Sequence, residues 1–305
     1  MGSYVIKRLI QTVFVLFVIS TFVFLLLRAV GDPARLMVSP ESTLESIDDL
    51  RRKLGLDRPL IEQYGSYMYG IIRGDFGNSY TYDRPALELI KMHIGPTLQL
   101  TLVSLLISVP MGLILGCVSA IKRYSIFDNV ATVLAVFSRA IPSFWLGIMM
   151  ILVFSIRLKL LPPSGYGSPR QILMPAFALG TSMAAVVARL TRSSMLEVLG
   201  SDFIRTARGK GLKEKIVIIR HALHNALIPV VTIVGLQMGN LLGGSIIIET
   251  IFAWPGIGNL LVESINEFDF PVIQATVFII AVFFVIINLI TDFTYVLIDR
   301  RIRLE

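Results

Sequence analysis

His221 and His224 stand three residues apart, so on a helix both imidazoles share one face, a spacing that a metal ion can use. Zinc would ask for acidic or thiol partners beside them, and a polar face on a basic helix accounts for the pair without a metal. Gly209-Lys210-Gly211 resembles part of a phosphate loop. The nucleotide pattern G-x-x-x-x-G-K-[ST] fails there, because Gly211 follows the lysine and Ile204 occupies the place of the first glycine. The chain contains neither H-E-x-x-H nor G-x-S-x-G, and Asp75-Phe76-Gly77 lacks any kinase context. The single cysteine, Cys117, lies in an apolar run and cannot form a disulfide within the chain. An intramembrane protease finds no paired catalytic residues. What remains chemically notable is Arg139, a charge inside an apolar run, and a basic, glycine-broken stretch from Ser201 to Pro229.

The elements that position these residues follow from composition. Hydrophobic residues make up 54% of the 305 and charged residues 16%, against roughly 25% charged in ordinary soluble domains. Mean hydropathy is +0.74. Six apolar runs are long enough to cross a bilayer as helices: about 9–30, 97–120, 130–156, 172–190, 226–252 and 272–298. None alternates with the period of two that a membrane barrel strand needs. The first is preceded by Lys7 and Arg8 but is too long for a signal-peptide core, and reads as a retained anchor.

Positive charge orients the six spans. Lys7 and Arg8, Lys122 and Arg123, the segment from Arg192 to Arg220, and Arg300, Arg301 and Arg303 fall on one side, whereas 253–271 has no Lys or Arg. Both termini are therefore expected in the cytoplasm, and this distribution also accounts for the net charge of +7 without nucleic acid. The division is an anchor at 1–30, an outside segment at 31–96, a five-span core at 97–298 with a cytoplasmic loop at 191–225, and a tail at 299–305. In the outside segment Ser39-Pro40-Glu41 reads as a helix start and Gly55 as the stop of a helix carrying Leu44, Ile47, Leu50 and Leu54.

Within the cytoplasmic loop the pattern predicts a short helix over about 201–208, a turn at Gly209 and Gly211, and an amphipathic helix leading into the fifth span. Such a knob suits the groove of a soluble partner. It suits equally well a helix lying on anionic headgroups.

The same stretch resembles the cytoplasmic loop of ATP-binding-cassette importer permeases, in the form found in the dipeptide, oligopeptide and nickel branch. Ala207 and Gly211 match its A-x-x-x-G core, and Arg205-Thr206-Ala207-Arg208 with Lys210-Gly211-Leu212 matches R-T-A-[KR]-x-K-G-L. His221-Ala222-Leu223 and Asn225-Ala226-Leu227-Ile228-Pro229 match H-A-L-x-N-A-L-x-P. Arg205 stands where the general loop has Glu, so the match is to the branch. Gln63-Tyr64, Gly74-Asp75-Phe76-Gly77, Glu249, Pro255-Gly256 and Asp269 with Pro271 and Gln274 extend the resemblance over the chain.

The resemblance implies an all-α polytopic fold of the type I importer, with six transmembrane helices and an insertion after the first. It implies an import subunit for di- or oligopeptides in a bacterial or archaeal cytoplasmic (inner) membrane, with nickel or metal chelates and glutathione as alternatives. Its expected partners are a second, similar permease, two cytoplasmic ATPases that carry ATP and Mg, and an extracytoplasmic binding protein. This chain would carry no catalytic residue, cofactor or metal of its own. Asp202, Phe203, Ile204, Arg205, Thr206, Ala207, Arg208, Lys210, Gly211 and Leu212 would form the helix that couples it to the ATPase. A stand-alone secondary transporter is the rival reading, and a membrane enzyme the third.

The spans carry their own candidates. Gly235, Gly239 and Gly243 recur every four residues and form a ridge that another helix could approach closely. Gln237 and Asn240, with Ser245 beyond them, could line a polar path or bond to neighbouring helices. Arg139 either faces that path, offering a counter-charge to a substrate carboxylate, or snorkels near the interface and pairs with another helix. Glu249 and Asp292 read as interfacial or helix-paired.

Overall fold

Apolar runs with few helix breakers leave the backbone no partner but itself, and the computed structural model is helical almost throughout. It describes residues 2–38 and 43–298, and the side chains of 6–38 and 43–291. In chain order the helices are α1 Gly2–Val30, α2 Pro33–Leu36, α3 Leu44–Lys53, α4 Leu60–Arg73, α5 Ala86–Ile121, α6 Ile126–Ala140 and α7 Ser143–Met150. There follow α8 Pro169–Leu199, α9 Asp202–Gly209, α10 Glu214–Ile216, α11 His224–Ile251, α12 Ile257–Asn266 and α13 Phe270–Ile298. Two seven-residue π-helical segments, Ile151–Arg157 and Val217–Leu223, continue α7 and α10.

Among the described residues, five segments are long and apolar enough to span: Ile6–Val30, Ala86–Ile121, Pro169–Leu199, Glu214–Ile251 and Phe270–Thr291. The expected third span is not one rod. Its halves, Ile126–Ala140 and Ser143–Arg157, meet at 103°, and six spans result only when this bent pair counts as one. Pro142 is the cause. It lacks an N–H and pushes the residue before it out of the helical region, and Ile141 sits at φ −80°, ψ 121°. Other boundaries move outward. α5 begins at Ala86, inside the expected outside segment, and α8 runs on to Leu199 and takes in Arg192, which the charge pattern had assigned to a loop. Hydropathy marks where a helix is apolar, not where its hydrogen bonds stop.

The chain forms two compact units. The first contains, of the described residues, 2–38, 43–97 and 255–286. In it α4 lies on the second half of α1, where Thr21 and Tyr64 share a 2.7 Å hydrogen bond and Phe24 meets the Tyr64 ring edge-on at 5.3 Å. Ala86, Leu89 and Ile90 of α5 pack with Ile257, Leu260, Val272 and Ala275. Gly256 has no side chain to cap α12, and the Thr97 hydroxyl accepts from the Ile257 N–H instead at 2.9 Å. Asp269 ties the loop before α5 to the start of α13. Its carboxylate accepts from Ser79 Oγ, from the Tyr80 N–H at 3.1 Å and from the Thr81 N–H at 3.3 Å. α3 contains Leu44, Ile47 and Leu50 and ends ahead of Gly55, whose φ of +67° is the left-handed conformation that glycine adopts freely. The expected start at Ser39-Pro40-Glu41 lies outside the described residues, and Thr43 caps the described helix.

The second unit contains, of the described residues, 98–254 and 287–298. α8 is its axis, packed by α6, α7 and α11. Small residues set its spacing. A Cβ on Gly112 would lie 2.7 Å from the Ala184 carbonyl, and one on Gly116 would lie 2.5 Å from that of Ala188. α5 and α8 therefore meet backbone to backbone, through a G-x-x-x-G pair on α5 facing alanines on α8. Trp254, Phe252, Ile248, Met174, Met183 and Leu179 fill the core beside it.

Candidate functional site

α9 has only eight residues, too few to persist alone. What holds it is one face. Ile204 and Ala207, three apart, are buried with Met195, Val217, Ala222, Ala226 and Ala120. The opposite face is free. Phe203 is 45% exposed and Leu212 37%, and Asp202, Arg205, Thr206, Arg208 and Lys210 are exposed around them. The chain then turns at Gly211, φ +75°. Arg208 closes that turn by an ion pair with Glu214 at 2.6 Å, and Asp202 lies 3.5 Å from Arg205. Beyond Ile216 the Val217–Leu223 π-helical turns carry Arg220 and His221 into α11. The expected helix at 201–208 is thus found one residue later; Gly211 turns the chain where expected, whereas Gly209 stays helical as the last residue of α9. His221 and His224 join no metal-binding group. Among the described residues no cluster of three or more His, Cys, Asp or Glu side chains is placed to hold an ion.

The platform under α9 is fastened by a cluster that sequence reading missed. Asp128, in the first turn of α6, is buried and receives Arg192 of α8 in a two-pronged contact, Nε at 2.7 Å and Nη2 at 2.9 Å. Ser119 of α5 donates to the same carboxylate and accepts from Arg192 Nε at 3.0 Å. The Tyr124 N–H adds a bond at 3.0 Å, and Ser125 caps α6 by accepting from the Asp128 N–H at 3.3 Å. Three helices are thereby pinned at one point. Ser125-x-x-Asp128 before an apolar run is a capping signature that was legible in the sequence.

The remaining candidates are not gathered in one place. Arg139 is exposed in the last turn of α6, ahead of the bend. Gln237 and Asn240 bond to each other at 2.7 Å on α11. Ser245 is buried and donates to the Leu242 carbonyl of its own helix at 2.8 Å. The glycine stripe does not pack as one surface within the chain. Gly235 abuts Thr291, whose Cγ2 a Cβ would approach to 2.6 Å, Gly239 is buried, and Gly243 has nothing within 4 Å. Glu249 is fully buried rather than interfacial. The Asp292 side chain and Arg300, Arg301 and Arg303 lie outside the described residues.

A bundle of membrane-length helices, bearing a short helix with one apolar face buried and the other presented outward, has the build of the membrane subunit of a transporter. The chain belongs to the binding-protein-dependent transport system inner membrane component family, whose model matches residues 108–304. The model of the N-terminal part of such membrane components matches residues 1–101. It is 43% identical, over 304 residues and 99% of both chains, to the glutathione transport system permease protein GsiC of Escherichia coli strain K12. The identity and coverage are the same for that of Shigella dysenteriae serotype 1. Among solved structures, an inward-facing MetNI methionine ABC transporter gives a TM-score of 0.57 at 17% identity, covering 69% of this chain and 96% of that one. An amino acid ABC transporter gives 0.52 at 18%, covering 71% and 95%. These two share the fold, that of a type I importer permease. The chain is thus the permease of an ATP-binding-cassette importer, a multi-pass inner-membrane component that works with ATPase and binding-protein partners.

Proposed function

We propose that this permease imports glutathione or similarly short di- and oligopeptides, driven by ATP hydrolysis on its partners. The observation that carries the substrate class is end-to-end likeness, at 43% identity, to permeases named for glutathione transport. Glutathione is itself a tripeptide, so the peptide expectation and its glutathione alternative converge on one chemistry: a short zwitterionic chain with free carboxylates. Nickel or metal chelates are the second reading within the branch.

In this reading the complex holds a second, homologous permease and two ATPases, with ATP and Mg bound on the latter, and both termini of this chain are cytoplasmic. α9 is the coupling helix. Its support is geometric, because Ile204 and Ala207 fix it to the chain while Phe203, Arg205 and Leu212 stand free for a partner. A rigid docked helix can pass a partner's motion to the spans only by differential contacts in two states. The test is uptake in proteoliposomes. The permease pair, ATPases and liganded binding protein should accumulate labelled glutathione or a dipeptide when ATP is supplied. This chain alone, under an ion gradient, should accumulate neither. Gradient-driven uptake by the chain alone would establish the secondary transporter instead, and ATP-driven uptake of nickel alone would select the metal reading.

A further inference from the structure

Beside the end of α1 expected outside the membrane, the first unit holds a basin of about 350 Å³ that the transport reading does not use. Arg28, Lys53, Arg58, Gln63, Ser66 and Tyr80 line it, with no carboxylate among the lining residues. Arg28 is set rigidly. Its Nε and Nη2 donate to Gln63 Oε1 at 3.1 and 2.9 Å, and its guanidinium lies 4.6 Å from the Phe24 ring centre and 5.6 Å from that of Phe270. Gln63 is fixed in turn, its amide donating to the Leu56 and Arg58 carbonyls at 3.2 and 2.8 Å. Nη1 of Arg28 is buried with no hydrogen-bond partner. The nearby carboxylate, Asp32, is taken by Arg51, whose Nε donates to it at 3.0 Å. Burial pushes the Tyr80 phenol up to about 12, which keeps it a neutral donor. Three cations with no carboxylate between them, one of them desolvated and braced, form an arrangement whose missing element is negative charge.

Phe22, Leu25, Leu26 and Val30 of α1 are exposed, as are Ile61 and Ile72 of α4, while Phe24 and Leu27 on the face beside Arg28 are buried. Arg28 itself is two residues from the end of the spanning segment Ile6–Val30, the depth at which phosphate headgroups lie. We infer that this basin is an oxyanion site for a phosphate group, carried by an anionic phospholipid headgroup or bound as free phosphate. Arg28 supplies the fixed charge, Lys53 and Arg58 the mobile ones, and Tyr80 and Ser66 the neutral donors. The inference stands whatever solute the permease carries.

The test uses the intact importer with its partners, stripped of lipid by detergent exchange. Native mass spectrometry follows retention of added phosphatidylglycerol against phosphatidylcholine, and calorimetry follows inorganic phosphate. Lys53→Gln/Arg58→Gln alters two exposed side chains and leaves Arg28 and its bracing in place. At roughly fivefold per surface cation, the pair should weaken binding about twenty-five-fold. Retention of phosphatidylglycerol over phosphatidylcholine, lost in the double variant and not displaced by phosphate, identifies a lipid headgroup. Phosphate binding that is lost in the double variant, with no lipid preference, identifies the free ion. Equal binding by wild type and double variant, or no binding of either anion, overturns the assignment.

Discussion

Ile204 and Phe203 are neighbours in sequence on α9, one buried and one exposed, and truncating each should break a different link. Ile204 is completely buried against Val217 and Ala222. Ile204→Ala in such a site costs about 2–5 kcal/mol, the lost transfer energy plus the cavity left behind. An eight-residue helix has no other reserve, so at about 3 kcal/mol the ratio of docked to released α9 falls by roughly two orders of magnitude. Phe203→Ala removes a side chain that is 45% exposed in the chain, and surface changes of this kind shift folding by about 0.5 kcal/mol or less. If its ring fills a pocket on the ATPase, its loss costs about 2 kcal/mol of association or more. The two variants should therefore separate. Protease protection of residues 191–225 should fall for Ile204→Ala and hold for Phe203→Ala. Recovery of ATPase subunits in a pull-down, and ATP hydrolysis stimulated by liganded binding protein, should fall for both, at least thirtyfold in affinity for Phe203→Ala. Wild-type association and stimulation in Phe203→Ala would refute the docking geometry and leave α9 as a structural turn over lipid.

The glycines of α5 and α11 should differ in the same membrane. Gly116→Ala drives a Cβ to within 2.5 Å of the Ala188 carbonyl. It should destabilise by about 1–3 kcal/mol, read as a lower midpoint for thermal loss of monodisperse protein in detergent. Gly243→Ala meets nothing within 4 Å in this chain and should leave that midpoint equal or higher, since alanine favours helix by about 1 kcal/mol. A fall in the assembled importer alone would place Gly243 against a partner. Asp128→Asn keeps the shape but loses the charge facing Arg192. In a double-mutant cycle with Arg192→Gln the coupling should be about 1–3 kcal/mol, and strict additivity would show the contact to be idle. Asp269→Ala leaves Ser79 Oγ and the Tyr80 N–H without their acceptor and the Thr81 N–H with Ser79 Oγ alone. Limited proteolysis between Asn78 and Arg84 should then quicken at least tenfold, and an unchanged rate would mean that this loop is held by other contacts.

What was legible in the sequence is what repeats or concentrates. Long apolar runs announced the spans. The run from Arg205 to Pro229 carried enough specific residues to place the family. What escaped depends on distance in sequence. Nothing near Asp128 indicates that Arg192 will meet it, because 64 residues separate them, and Arg192 was credited to a loop because it is charged. The same logic misled on glycine. A fourfold spacing on α11 looked like a packing ridge, yet the close backbone approach between helices is made by Gly112 and Gly116 of α5 against the Ala184 and Ala188 carbonyls of α8. Pro142 was visible throughout as a helix breaker. That it turns the third span by 103° rather than kinking it slightly depends on α7 finding a seat against α8 and α11, where Gly147 lets the Phe252 ring within 3.1 Å of a would-be Cβ. A sequence states which residues can break, cap or pair. Which of those possibilities is used is decided by the partner that folding brings alongside, and in this chain the partner is repeatedly α8.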